Sequence, residues 1–236
     1  FTTRSDVETP AGTTAQLGVR VAEVVTNDLK SSGLFRPIDK LAFTTTVRYP
    51  DVLSPQFASW RTVAAQALVT GFAERQADGS ITVGCYLYDV FSEEVLVREG
   101  FNTEPRNWRR AAHKCADAVY SRLTGEAGYF DSRIVYVSET GPATSRIKRL
   151  AVMDQDGANH RFLTNGQNLV LTPRFSANDQ TVAYLSYAQN RPRIYSYDIA
   201  SGQQRLIGDF PNMSFAPRFS PDGRQLAFSQ SRAGNT

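Results

Sequence analysis

The stretch PRFSPDGRQLAFSQ, residues 217–230, has an ungapped counterpart in PRFSANDQTVAYLS, residues 173–186. The two copies stand 217 − 173 = 44 residues apart. Two further pairs keep this spacing. Asp154 and Asp198 close equivalent strands (198 − 154 = 44), and Arg161 and Arg205 open equivalent ones (205 − 161 = 44). Within one period the pattern reads as four short strands separated by turns, the signature of a β-propeller blade. One blade cannot bury both of its faces, so such units must stack side by side around an axis. Ser220-Pro221-Asp222-Gly223 suits a β-turn. Proline presets φ, Asp bonds its own backbone, and Gly accepts positive φ. The earlier copy has Ser176-Ala177-Asn178-Asp179, where Asp179 replaces the glycine at a position Asp tolerates better than most residues.

Strands and turns of this kind occupy residues 126–236: RIVYVSE, IKRLAVMD and HRFLT, then LTPRFS, TVAYLSY, RIYSYDI and QQRLIGDF, then a restart at FAPRFSPDG. The first blade lacks its inner strand, the second is complete and the third is partial. That makes about two and a half blades, where propellers have about four to eight. The expectation is therefore a piece of a longer protein. In closed propellers the missing inner strand is supplied by the far C-terminus.

Residues 1–125 read differently, as an α/β domain with about three helices and a mixed sheet. Leu17, Val21, Val24, Val25 and Leu29 share one helical face over residues 14–32, with Thr13 or Thr14 as cap and Gly33 as stop. LFRPID reads as a short strand, residues 42–55 as loop, and FASWRTVAAQ as a short helix. ALVTGFAERQ, ITVGCYLYDV and VLVREGFNT read as consecutive strands. Ile81, Val83, Cys85 and Leu87 lie on one face of the second. A last helix starts at Pro105, presents Trp108, Ala112, Cys115, Val119 and Leu123, and ends at Gly125. Only FTTRSDVETPAG precedes the first helix, whereas folds of this type place a strand there, so a strand is expected upstream.

The chain of 236 residues carries a formal net charge of +3, too little to argue for nucleic acid. No apolar run approaches the length of a membrane span. Asp154-Gln155-Asp156-Gly157 resembles the start of a calcium loop, but Ala158 and Asn159 stand where that loop needs an oxygen ligand and glycine. A hairpin is the better reading, and neither a metal nor a cofactor is expected. His113 lies off the apolar face of its helix and His160 at a strand start, so surface or turn roles are expected for both. Cys85 and Cys115 lie on a strand and a helix that could pack together, as a disulfide or as two buried thiols. NWRRAAHK reads as a solvated helix face.

The junction CADAVYSRLTGEAGYFDSRIVYVSE followed by APRFSPDGRQLAFSQS resembles the TolB family of the Tol–Pal cell-envelope system of Gram-negative bacteria. VVTNDLKSSGLFRPID and ALVTGFAERQADGSITVGCYLYDV carry the same resemblance through the first domain. It implies a six-bladed propeller behind the α/β domain and a periplasmic, non-enzymatic scaffold. The partner implied is the peptidoglycan-associated lipoprotein Pal, docked at the propeller mouth, in support of outer-membrane integrity and cell division. TolA is a second implied partner, bound through an N-terminal segment outside this sequence. The loops that lead from one blade to the next gather at that mouth, which gives Leu169, Val170, Leu171, Met213, Ser214, Phe215 and Ala216 as candidate docking residues. The family pattern has histidine at Met213. The alternative for these apolar residues is packing between blades. The alternative function is a propeller-containing hydrolase or metal-dependent enzyme with its catalytic residues elsewhere. No G-x-S-x-G elbow is present, and the inner strands LTPRFS and FAPRFS hold no acid or histidine.

Overall fold

Alternation along ITVGCYLYD gives this strand two apolar faces, so it must be covered on both sides. The computed structural model, which describes residues 1–178, 180–210 and 212–231, shows this arrangement. The chain divides into two units, Phe1–Asp131 and Ser132–Thr236. Asp179, the expected left-handed turn residue, lies outside the described residues.

In the first unit, β1 (Glu8–Thr9) and β2 (Gly12–Thr13) form a small hairpin before α1 (Thr14–Ser31). Thr13 caps α1 in a capping box. Its Oγ1 accepts from the Gln16 amide at 3.3 Å, and Gln16 Oε1 accepts from the Thr13 amide at 3.1 Å. Two short helices follow, α2 (Tyr49–Leu53) and α3 (Phe57–Thr62), then β3 (Ala67–Arg75), β4 (Ile81–Asp89) and β5 (Val95–Thr103), and finally α4 (Trp108–Thr124). Strands β3, β4 and β5 form an antiparallel sheet in that order. Parallel character enters through a single bridge from Thr2 to Phe72, with Thr2 N–H donating to Gly71 O at 3.0 Å and Ala73 N–H to Thr2 O at 2.8 Å.

Ile81, Val83, Cys85 and Leu87 are fully buried. The last three pack with Val21, Val24, Val25 and Leu29 of α1 and Ala112, Cys115, Ala116 and Val119 of α4. The opposite face of β4 presents Tyr86 and Tyr88 to Val52, Trp60 and Leu68, and Tyr88 Oη donates to Val52 O at 2.7 Å. The sheet is thus covered by long helices on one face and by α2, α3 and their loops on the other. Cys85 and Cys115 are joined in a disulfide that ties β4 to α4. The cross-link closes a loop whose ends are 30 residues apart.

Four expectations change. LFRPID forms no strand; Pro37 has no amide hydrogen to donate to a ladder. The span 42–55 contains α2 rather than loop alone. Pro105 opens a 3-10 turn, Pro105–Asn107, and the α-helix begins at Trp108. Leu123 is 40% exposed, outside the buried face of α4.

In the second unit, β6 (Arg133–Thr140), β7 (Ile147–Asp154) and β8 (Arg161–Phe162) make a three-stranded antiparallel sheet. A four-stranded sheet follows, from β9 (Val170–Phe175), β10 (Thr181–Ser186), β11 (Arg193–Asp198) and β12 (Gln204–Leu206). The last sheet is the hairpin of β13 (Ser214–Phe219) and β14 (Leu226–Gln230). These are partial propeller-like sheets. Leu150, Val152 and Leu163 of the first pack against Val170, Val182, Tyr184 and Tyr197 of the second. Arg161 Nη2 crosses the same seam to Ile199 O at 3.0 Å. A methyl group on Gly223 would come within 2.8 Å of Ser176 Oγ, so the third sheet's turn also lies close against the second sheet. Gly157 takes φ +85° in the turn after β7 while Asp154 N–H donates to Ala158 O at 2.9 Å, a hairpin closure in the segment that resembles a calcium loop.

In hairpin turns, aspartate Oδ1 atoms accept nearby hydrogen bonds, and four of these aspartates are held by more than one: Asp78 by the Ser80 amide and hydroxyl, Asp89 by Phe91 and Ser92, Asp198 by the Ser201 amide and hydroxyl, and Asp222 by Ser220 and Arg224. These bonds hold all four carboxyls below the usual carboxylate range. The largest contribution comes from the Ser80 hydroxyl for Asp78, the Ser92 amide for Asp89, the Ser201 amide for Asp198 and the Ser220 hydroxyl for Asp222. A folded pKa below the unfolded one stabilises the fold above the unfolded pKa, and this is lost as pH falls through the folded one. Carboxylate NMR titration is expected to place all four midpoints below that of an unstructured aspartate; an ordinary midpoint for Asp198 would remove its turn from the list.

Gly71 explains a glycine in the middle of a strand. A methyl there would sit 2.1 Å from Gly84 O and 2.3 Å from the Phe1 ring. Gly71→Ala is expected to cost about 2–3 kcal/mol, as overpacking does. Gly79→Asn, at a turn with φ +87° and nothing within 4 Å, is expected to cost far less. Both tryptophans, Trp60 and Trp108, lie in the first unit, so urea denaturation followed by their fluorescence reads this comparison directly.

Candidate functional site

The strand meander of the second unit sends alternate connections to the same end. The β6–β7, β8–β9, β10–β11 and β12–β13 loops meet there. Backbone hydrogen bonds tie them: Tyr187 N–H donates to Leu169 O at 2.9 Å, and Ser214 N–H to Pro192 O at 3.5 Å. Gly166, with φ +85°, brings the β8–β9 loop against Ile147 and Arg149 at the start of β7.

This end carries the docking candidates, and the structure separates them into two groups. Leu169 is 40% and Met213 43% exposed, while Leu171 and Phe215 are half-buried and Ala216 is exposed. Val170 and Ser214 are 2% exposed and turned inward, Val170 into the seam between the first two sheets. For these two the inter-blade alternative describes what is seen. Ile147 was not among the candidates, yet it is 40% exposed at the same end. Its place in a regular strand pattern hides it, because the residue that starts a strand carries no sequence mark of which rim it will reach.

The inner strands share a feature that sequence reading missed. Leu171 pairs with Leu185 and Arg174 with Ala183, so Thr172 and Pro173 on β9 oppose Tyr184 alone on β10. Phe215 pairs with Ser229 and Arg218 with Ala227, so Ala216 and Pro217 oppose Phe228 alone, again two against one. Each strand therefore carries a one-residue bulge. Thr172 (φ +48°) and Ala216 (φ +54°) take left-handed backbone within the bulges, and their spacing is 216 − 172 = 44 residues. Both precede a proline, Pro173 and Pro217, which donates nothing to the ladder and is tolerated at such breaks. Positive φ at a side-chain-bearing residue costs about 1–2 kcal/mol. Two equivalent blades keep this strain beside the loop end.

Neither histidine contributes to that end as a ligand. His160 stands near Tyr136 and Phe162, with ring centroids 6.0 and 4.9 Å away. His113 corrects the surface reading: it is 1% exposed on α4, its Nδ1 2.6 Å from Asp28 Oδ2 on α1. The helix buries a second face against α1, and the polar residue on that face is matched by a carboxylate 85 positions earlier in the chain. A buried pair of this kind joins the two long helices of the first unit.

Ala216→Gly is expected to leave the fold intact and to raise stability by up to about 1 kcal/mol, because glycine takes positive φ without steric cost. Ala216→Val is expected to lower it by more than about 1 kcal/mol, since branching is poorly tolerated there. Urea denaturation followed by far-UV circular dichroism checks the pair. Equal losses for Gly and Val would show that the bulge is not strained.

Comparison with known proteins matches both units. Residues 5–96 match the TolB amino-terminal domain, and residues 120–236 match the TolB β-propeller domain. The Tol-Pal system protein TolB of Zymomonas mobilis is 63% identical over 205 residues, covering 87% of this chain and 44% of that protein. The Tol-Pal system protein TolB of Rhizorhabdus wittichii is 66% identical over 183 residues, covering 78% of this chain and 42% of that protein. The crystal structure of TolB from Acinetobacter baumannii superposes with a TM-score of 0.76 at 31% identity, covering 91% of this chain and 52% of that one. The chain therefore spans less than half the length of these curated relatives. With matches to both characteristic domains in the same order and this level of identity across them, the chain belongs to the TolB family.

Proposed function

We propose that the chain is part of a non-enzymatic periplasmic scaffold of the Tol–Pal system, which binds the peptidoglycan-associated lipoprotein Pal through the loop end of its propeller. This role serves outer-membrane integrity and envelope constriction at division, with TolA as the second partner. The observation that carries the reading is the identity of 63% and 66% to two Tol-Pal system proteins. The chemistry of the chain supports it. A disulfide at Cys85–Cys115 suits an oxidising compartment. Among the described residues no helix is long and apolar enough to cross a membrane. Strands β9 and β13, VLTPRF and SFAPRF, offer neither carboxylate nor imidazole for catalysis or metal binding.

Leu169 and Met213 are the exposed large apolar residues among the docking candidates, and such side chains on a rim favour a protein partner over a small charged ligand. In the full-length protein, Met213→Asp is expected to weaken Pal binding by at least about 2 kcal/mol, as when a charge enters an interface hot spot. Calorimetric titration against the soluble domain of Pal measures this, with circular dichroism to establish folding. Unchanged affinity in a folded variant would remove this loop from the site.

A further inference from the structure

The loop end of the second unit carries a charge pattern as well as apolar residues. Ile147 comes from the first sheet, Leu169 from the connection into the second, and Met213 from the connection into the third. Each is 40–43% exposed. Among the described residues, five basic ones belong to the same end: Arg146, Lys148 and Arg149 at the start of β7, and Arg191 and Arg193 at the start of β11. The acidic residues there are Glu139 and Asp209. Both are taken: Lys148 Nζ lies 2.5 Å from Glu139 Oε1, and Arg193 Nη1 lies 2.5 Å from Asp209 Oδ1. Arg149 and Arg191 make no ion pair with an acid among the described residues, and Arg146 makes no direct ion pair but adds its charge to the hydrogen bond and charge of Lys148 in holding the Glu139 carboxyl low. Arg146 and Arg191 are exposed, and Arg149 lies 4.8 Å over the Phe162 ring, which holds it in place. Among the described residues the end thus has an excess of 5 − 2 = 3 positive charges.

Isolated apolar anchors, one per blade, inside a positive rim match a segment that brings both apolar side chains and carboxylates. We propose that this end recognises an acidic, apolar-anchored segment of its protein partner, with Arg146 and Arg191 as the residues that select for carboxylates. This rests on the docking reading above and adds the chemistry of what docks. The pattern fits a lipid surface less well. Polybasic membrane binding uses clusters of about four to eight cations. Here three are outside direct ion pairs, and the apolar residues stand singly.

The test uses the full-length protein and the soluble domain of Pal, titrated at about 50 and about 300 mM salt, a range over which exposed charges become screened. Affinity is expected to fall at least about tenfold across that range. Arg146→Glu/Arg191→Glu is expected to lose at least about tenfold at low salt and to flatten the salt dependence. Ile147→Asp should weaken binding as Met213→Asp does. If the charge-reversed protein is folded and binds as the parent does, with the same salt dependence, the acidic-segment proposal is overturned. A loss on Met213→Asp in that case leaves the docking reading standing, and a silent Met213→Asp removes both. Sedimentation with vesicles containing about 30% phosphatidylglycerol should show no binding. Binding that the charge reversal abolishes would assign the end to a lipid surface instead.

Discussion

The apolar seam between the first two sheets of the second unit decides where its loop end can be. Leu150, Val152 and Leu163 on one side meet Val170, Val182, Tyr184 and Tyr197 on the other. A single propeller sheet is too thin to enclose a core, so its inward face is stable only against a neighbour. The ring of Tyr184 lies so deep in this seam that burial, and then the nearby Tyr195 and Tyr197, pushes its phenol up to about 12. Val170 enters the same seam and is the first residue of β9. Its burial pins the strand at one end, leaving Leu169, one position earlier, outside. The exposed anchor and the buried one are consecutive, and the seam sets the dividing line between them.

The first unit rests on a different arrangement. β4 carries an apolar face toward α1 and α4 and an aromatic face toward α2 and α3, so its covering comes from within the unit. Two connections fix the long helices further: the disulfide from β4 to α4, and the Asp28–His113 pair from α1 to α4. A cross-link closing a loop of this length removes unfolded-state entropy worth about 3–4 kcal/mol in the chain-entropy account. The bond is fully buried, with both cysteines at 0% exposure, which fits a structural role. The second unit has no cysteine and relies on adjacency of its sheets.

What could be read from the sequence follows from how local its cause is. The 44-residue period, the turn residues around Asp222 and Gly223, the alternation of Ile81, Val83, Cys85 and Leu87, and the Thr13 cap all act within a few residues, and each appears in the structure. Features that depend on a distant partner were not legible. His113 occupies a helical position that looks solvent-facing until Asp28 is placed beside it. LFRPID has the composition of a strand, yet it pairs with no strand in the structure. Thr172 and Ala216 precede prolines, which argues for extended backbone, yet register across β9–β10 and β13–β14 requires an extra residue in each inner strand. Tertiary pairing overrides the local preference there.

The repeated bulge also bears on why the exposed apolar rim residues sit where they do. An unbroken strand keeps period-2 alternation, so residues at successive odd positions would all face one way. One inserted residue reverses the phase, and side chains on the two sides of Thr172 or Ala216 no longer follow a single alternation. On β13 the loop-side segment begins with Met213 just outside, then Ser214 inward and Phe215 half-buried. Beyond the bulge Pro217 is buried and Arg218 exposed. The rim can therefore be apolar and solvent-facing while the remainder of the strand continues its packing against the neighbouring sheet. Without the bulge, a change that turned Met213 or Phe215 outward would also turn the packed residues of the same strand. Strain at two equivalent alanine- and threonine-bearing positions is thus consistent with a rim whose residues are free to vary independently of the blade core, the property a partner-binding surface on a repeated scaffold requires.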